Sequence, residues 1–178
     1  MKVLICMAVC LALSIPAAFA ERQPHALPWG ITRLDLDGDG KKDLIVRSWR
    51  ENHNAHGYAV YDLFVWKDGV LHRVLFPRKD GKWDLSFTSR QGADCVLRDL
   101  FPHKATKLQP AEIIVLNRIG AQGFNGQGRV QVLRYRIKHL REGLPGNPEF
   151  VLQRTKSEIF PHRYCDVHQA WRRETSGT

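Results

Sequence analysis

The run Asp35-Leu36-Asp37-Gly38-Asp39-Gly40-Lys41-Lys42-Asp43 constrains this chain more than any other stretch. Calcium takes its ligands from oxygen, and a short loop can supply acidic side chains at positions 1, 3, 5 and 9 with a backbone carbonyl at 7. Those positions fall on Asp35, Asp37, Asp39, Asp43 and the carbonyl of Lys41. Gly40, at position 6, permits the sharp turn that aims the next carbonyl inward. An EF-hand would close with a bidentate Glu at position 12 on an exiting helix. Position 12 here is Val46, inside Asp43–Trp49, whose alternation reads as a strand. The loop therefore joins two strands. An Asp-Gly turn needs no ion. Four aspartates crowded into a basic chain, however, repel one another until a cation neutralises them. The expectation is a structural Ca2+ in loop 35–43.

The chain opens Met1-Lys2, runs apolar from Val3 to Pro16 and reaches Ala18-Phe19-Ala20. This pattern describes a signal peptide over 1–20, cut after Ala20. The apolar run is too short to span a bilayer. A soluble periplasmic protein, 21–178, is expected, with no stable membrane insertion once the leader is removed. Cys6 and Cys10 leave with the leader, and Cys95 and Cys165 remain. Two thiols in an oxidising compartment pair. Closing a loop of about 70 residues corresponds to roughly 4 kcal/mol on chain-entropy arithmetic. The formal net charge is +9. The arginines are scattered over different segments with no basic block, so a solvated surface is expected and no nucleic-acid partner.

From Gly30 onward the chain is a series of short β-type runs separated by turn signals: Gly30–Asp35, Asp43–Trp49, Tyr58–Trp66, Val70–Phe76, Trp83–Phe87, Asp94–Leu100, Glu112–Leu116, Arg129–Ile137 and a short edge strand, Phe150–Gln153. Lys67-Asp68-Gly69 marks a hairpin. Glu112–Leu116 is nearly continuous in apolar residues, as a central strand is. The apolar phase slips between Val132 and Leu133, which predicts a bulge. Helical spacing occurs only at Tyr164, Val167, Ala170 and Trp171, with Asp166 placed to cap. The expected fold is all-β, a β-sandwich or strongly bent antiparallel sheet with a short C-terminal helix, in a single domain.

Little in the chain nominates catalysis. There is no G-x-S-x-G, no H-E-x-x-H and no S-x-x-K. His53 and His56 are close, but a zinc site needs more ligands than this pair. The Gly-rich run Ile119–Gly128 lacks the features of a phosphate loop. It is expected to be a flexible hairpin tip or a lid beside a ligand site. The expectation is a protein that is not an enzyme.

The acidic loop resembles the strand-flanked calcium loops of FG-GAP repeats, here in a single copy. Beyond it come Arg50-Glu51-Asn52 and a nearby His, an aromatic strand from Tyr58, and Asp94-Cys95-Val96-Leu97-Arg98-Asp99-Leu100. The Gly-rich stretch after Arg118, Gly143-Leu144-Pro145-Gly146 and Tyr164-Cys165-Asp166-Val167 follow. In this layout the chain resembles CarG-like proteins, the periplasmic carbapenem intrinsic-resistance family. The resemblance implies a soluble β-rich periplasmic protein that protects against carbapenems without hydrolysing them. A β-lactam or an envelope protein would be its partner. A secreted interaction module with an adaptor or immunity role is the alternative.

Overall fold

The computed structural model describes residues 26–53, 57–92, 94–103, 110–140 and 148–176. The expected leader, His56 and the Gly143–Gly146 turn lie outside the described residues. The strands are β1 (Gly30–Leu34), β2 (Asp43–Arg50), β3 (Tyr58–Lys67), β4 (Val70–Pro77), β5 (Trp83–Asp84), β6 (Phe87–Thr88), β7 (Arg90–Gln91), β8 (Val96–His103), β9 (Glu112–Ile119), β10 (Gly128–His139) and β11 (Phe150–Tyr164). One helix, α1 (Val167–Thr175), ends the described chain. The β3–β4 turn has Asp68 and Gly69 at φ +50° and +79°. Positive φ at both central residues is what a tight hairpin of the right twist requires.

The sheet order is β1-β2-β3-β4-β11-β10-β9-β8-β7. Neighbours are antiparallel except β4 and β11, which run parallel through Val74↔Phe150 and Leu75↔Val151. The sheet curls until its far side returns to β3. There β6 pairs β3 through Tyr61↔Phe87, and β7, just after it, pairs β8. Ser89 seals the seam: its amide donates to the Ala59 carbonyl and its hydroxyl accepts from the Ala59 amide, both at 2.8 Å.

Curling divides the apolar residues between two cores. Tyr61, Leu63, Val74, Leu100, Ile113, Val115 and Leu152 pack inside the curl. Phe101, Ile114, Leu116, Val130, Val132, Phe160 and Trp171 pack outside it, beneath α1. Adjacent residues of β8 and β9 thus serve opposite cores, which is why Glu112–Leu116 reads as continuously apolar. The same division explains the phase slip in β10. Val130 and Val132 face the helix, whereas Leu133, Tyr135 and Ile137 face inward. The predicted bulge is not at that slip. The irregularities lie at Arg129/Gln131 and Arg134/Tyr135, on either side of it.

Two further expectations are corrected. The expected strand Asp94–Leu100 runs on past Leu100 to His103, carrying Pro102 opposite Ile113. The last strand is no short edge piece: β11 runs to Tyr164 and pairs β10 over most of its length. Its second half is largely exposed and polar, so alternation gives no sign of it. The ladder to β10 holds it extended.

Asp166 caps α1, its carboxylate accepting from the amides of Gln169 at 2.9 Å and Val96 at 2.8 Å. One side chain therefore both starts the helix and ties it to β8. Beside it, Cys95 and Cys165 form the expected disulfide.

Candidate functional site

The acidic loop closes the β1–β2 hairpin, with Leu34 opposite Asp43. Gly38 and Gly40 take φ values of +89° and +85°, open to glycine and costly for other residues. The loop folds around its own carboxylates. Asp35 accepts from the amides of Gly38 at 2.6 Å and Gly40 at 2.9 Å, Asp37 from Asp39 at 3.1 Å, and Asp39 from Lys41 at 2.8 Å. Carboxylate oxygens of Asp35, Asp37 and Asp39 lie within 4.8 Å of one another. Burial, with the neighbouring charges of Asp39 and Asp35, raises the Asp37 carboxyl above its ordinary value against the pull of the Asp39 amide.

Asp43 stands apart from that group. It is fully buried. One oxygen accepts from the amides of Leu36 at 2.8 Å and Asp37 at 3.4 Å, and the other from Trp66 at 2.8 Å. Burial raises its carboxyl while the Trp66 and Leu36 amides lower it. Asp43 thus braces the loop against the end of β3. The Lys41 ammonium lies 3.3 Å from Asp39, a local counter-charge.

The interior of the curl opens into a cavity of about 1410 Å³. Register explains its lining. Leu100, Val115 and Leu133 form one inward row across β8, β9 and β10. Two residues along, the next inward row is Arg98, Asn117 and Gln131, and all three line the cavity. Arg98 lies over the ring of Phe87, 4.2 Å from its centroid. Desolvation by the concave wall, and then Arg90 alongside, hold its guanidinium below the ordinary value. Burial raises the Tyr135 phenol, while Arg154 and Arg98 pull it back. The buried part of its lining is apolar, through Phe87, Val115 and Leu152, and the exposed part carries Arg90, Arg98 and Arg154 with Asp80 and Asp84.

No residue of Ile119–Gly128 lines this cavity, so the expected lid is not there. The Gly-rich run is the hairpin tip between β9 and β10, tied toward the start of α1 and meeting the cavity's edge through Phe124, over which Arg90 lies. Arg118 donates to the carbonyls of Gly123, Phe124 and Cys165, and Arg163 to those of Gly120 and Gln127.

A third arrangement gave no sign in the sequence beyond one acid in an apolar run. Asp99, buried on β8, accepts from the Tyr61 hydroxyl at 2.7 Å, and His168 Nε2 of α1 lies 2.8 Å from its other oxygen. Burial, with the Asp99 charge, pushes the Tyr61 phenol far up. This chain joins the inner core to the helix through the sheet. Its members are buried away from the cavity, so it acts as a brace.

No curated protein matches the chain. Among solved structures it is similar to one titled "Crystal structure of CarG", at 21% identity and a TM-score of 0.69, covering 83% of this chain and 92% of that one. At that identity the likeness speaks for a shared fold. The family described as "Carbapenem resistance protein CarG-like" matches residues 27–173. That span takes in every described strand and most of α1, and the chain belongs to the CarG-like family.

Proposed function

We propose that this chain is an exported, non-enzymatic protein that confers intrinsic tolerance to carbapenems without hydrolysing them, with calcium stabilising its β1–β2 loop. The observation that carries the reading is the CarG-like match over residues 27–173. Export has two supports: the leader-type sequence of residues 1–20 and a disulfide that persists only where thiols oxidise. Calcium has the convergence of Asp35, Asp37 and Asp39, whose mutual repulsion a hard cation would remove. Asp43 would support that site from behind, as a holder of loop amides. Among the described residues no helix is long and apolar enough to cross a membrane.

The test is gain of function. The chain with its leader is expressed in a carbapenem-sensitive bacterium, and drug recovered from the culture is assayed for an intact β-lactam ring. Raised tolerance with intact drug is the expected outcome. Unchanged tolerance despite folded, exported protein, or loss of the ring, goes against the reading.

One feature favours the alternative, an envelope interaction module. Trp29, Ile31 and Trp49 are each more than half exposed, next to the outer edge of β1. A strand edge with no partner among the described residues, beside exposed aromatics, is a surface on which another protein can pair. Cross-linking in periplasmic extract, with and without Trp49→Ala, separates the readings.

A further inference from the structure

The cavity inside the curl is electrostatically incomplete. Arg90 and Arg98 sit directly opposite each other across β7 and β8. Like charges in that relation destabilise a sheet. Their guanidinium groups meet aromatic faces, Phe124 for Arg90 and Phe87 for Arg98. Neither they nor Arg154 make an ion pair with a carboxylate among the described residues. The acids of the rim, Asp80 and Asp84, pair with Arg78; Asp84 also acts on Arg98, but without forming an ion pair with it. Arg154 projects from β11 at the position opposite Tyr135. Arg98 reaches the same phenol electrostatically from β8. The same cavity has an apolar wall in Leu133, Leu152 and Phe87, the last two buried.

The geometry points to a binding site for a small organic carboxylate, its anionic group held by Arg98 and Arg154 beside Tyr135 and its apolar body against Leu133, Leu152 and Phe87. Arginine holds carboxylates through charge-assisted, often paired hydrogen bonds, which are strongest where water is partly excluded. The cavity volume leaves room for a drug-sized molecule and for water around it. An inorganic anion would leave the apolar wall uncovered. A neutral apolar ligand would leave the arginines unanswered. The inference deepens the proposed tolerance function and rests on it only in taking a carbapenem, itself a compact carboxylate, as the first ligand to try.

The experiment titrates the purified disulfide-bonded protein by calorimetry, with tryptophan fluorescence of wild type against Trp83→Phe isolating the signal of Trp83, which lines the cavity. The probes are a carbapenem free acid, its methyl ester and decanoate. The variants are Arg98→Ala, Arg154→Ala and Arg98→Lys, each checked for an unchanged melt. We expect the free acid to bind, with affinity roughly tenfold lower for the ester and for either alanine variant, and partial recovery in the lysine variant. Equal binding of acid and ester, affinity indifferent to both arginines, or no binding of either carboxylate would overturn the site. Decanoate binding without carbapenem binding keeps the carboxylate site and removes the drug as its ligand. Conversely, if neither carboxylate binds but the chain still raises tolerance in cells, the site falls and the tolerance reading stands.

Discussion

Replacing Asp43 by alanine tests the logic of the acidic loop at its most buried point. The substitution strands three amides at once. Those of Leu36 and Trp66 are bonded at 2.8 Å, and that of Asp37 is longer at 3.4 Å. Leu36 is fully buried, so water has poor access to its amide. A hydrogen bond to a charged group contributes about 1.5–3 kcal/mol, so the two short bonds together amount to about 3–6 kcal/mol. The carboxylate is itself costly to bury, which is why its own carboxyl is raised, and that cost belongs on the other side. The net expected loss is about 3 kcal/mol. Asp43→Asn keeps one acceptor oxygen but turns an amide group toward backbone donors, and should lose about half as much. The assay is urea unfolding followed by tryptophan fluorescence, with chelator present throughout so that any bound ion is out of the comparison. If both variants fell short by less than about 1 kcal/mol with unchanged m-values, the brace would be refuted.

Other perturbations have equally definite outcomes. Removing the Cys95–Cys165 bridge by paired alanine substitution should lower stability by roughly 4 kcal/mol by loop-closure arithmetic, read as a lower urea midpoint. Trp171→Ala empties the centre of the outer core, where the indole packs against Phe101 at 5.3 Å between ring centroids, and should cost about 3–5 kcal/mol, with α1 losing amide protection first. Lys67, then His72 and His139, hold the Glu149 carboxyl below its ordinary value of 4.5. A lowered carboxyl contributes stability above that ordinary value and loses it as pH falls through the lowered one. The midpoint gap between wild type and Glu149→Gln should therefore close on acidification below 4.5, and a gap that widened would contradict the assignment. If calcium occupies the loop, chelation should lower the melting temperature of wild type and leave Asp35→Ala unmoved.

The strand pattern was legible wherever one face of a strand meets a core and the other meets water. Tyr58–Lys67 alternates cleanly, and Asp68-Gly69 announces its turn. Legibility failed where that condition failed. In β10 the two cores lie on opposite faces, so a change of core imitates a bulge between Val132 and Leu133. In β11 the residues from Gln153 to Glu158 are polar and reach no apolar core, so pairing with β10 and the bonds of Thr155 and Glu158 to Arg134 hold them rather than an alternating pattern. Asp35, Asp37 and Asp39 converge as their spacing implies, because a turn with two positive-φ glycines folds carboxylates toward its own amides. Asp43 carries the same side chain, but the hairpin register delivers it to the amides of Leu36 and Trp66. The cavity could not be read at all. Arg98, Asn117 and Gln131 come from three strands, and only the register between those strands sets them in one row. The Tyr61–Asp99–His168 chain is hidden for the same reason.

A role in carbapenem tolerance is tested most directly in a cell that lacks this chain. Deleting the gene in its native host and measuring the carbapenem concentration that stops growth should show increased sensitivity, reversed by the wild-type chain with its leader. Sensitivity identical in the deleted and parent strains would contradict it.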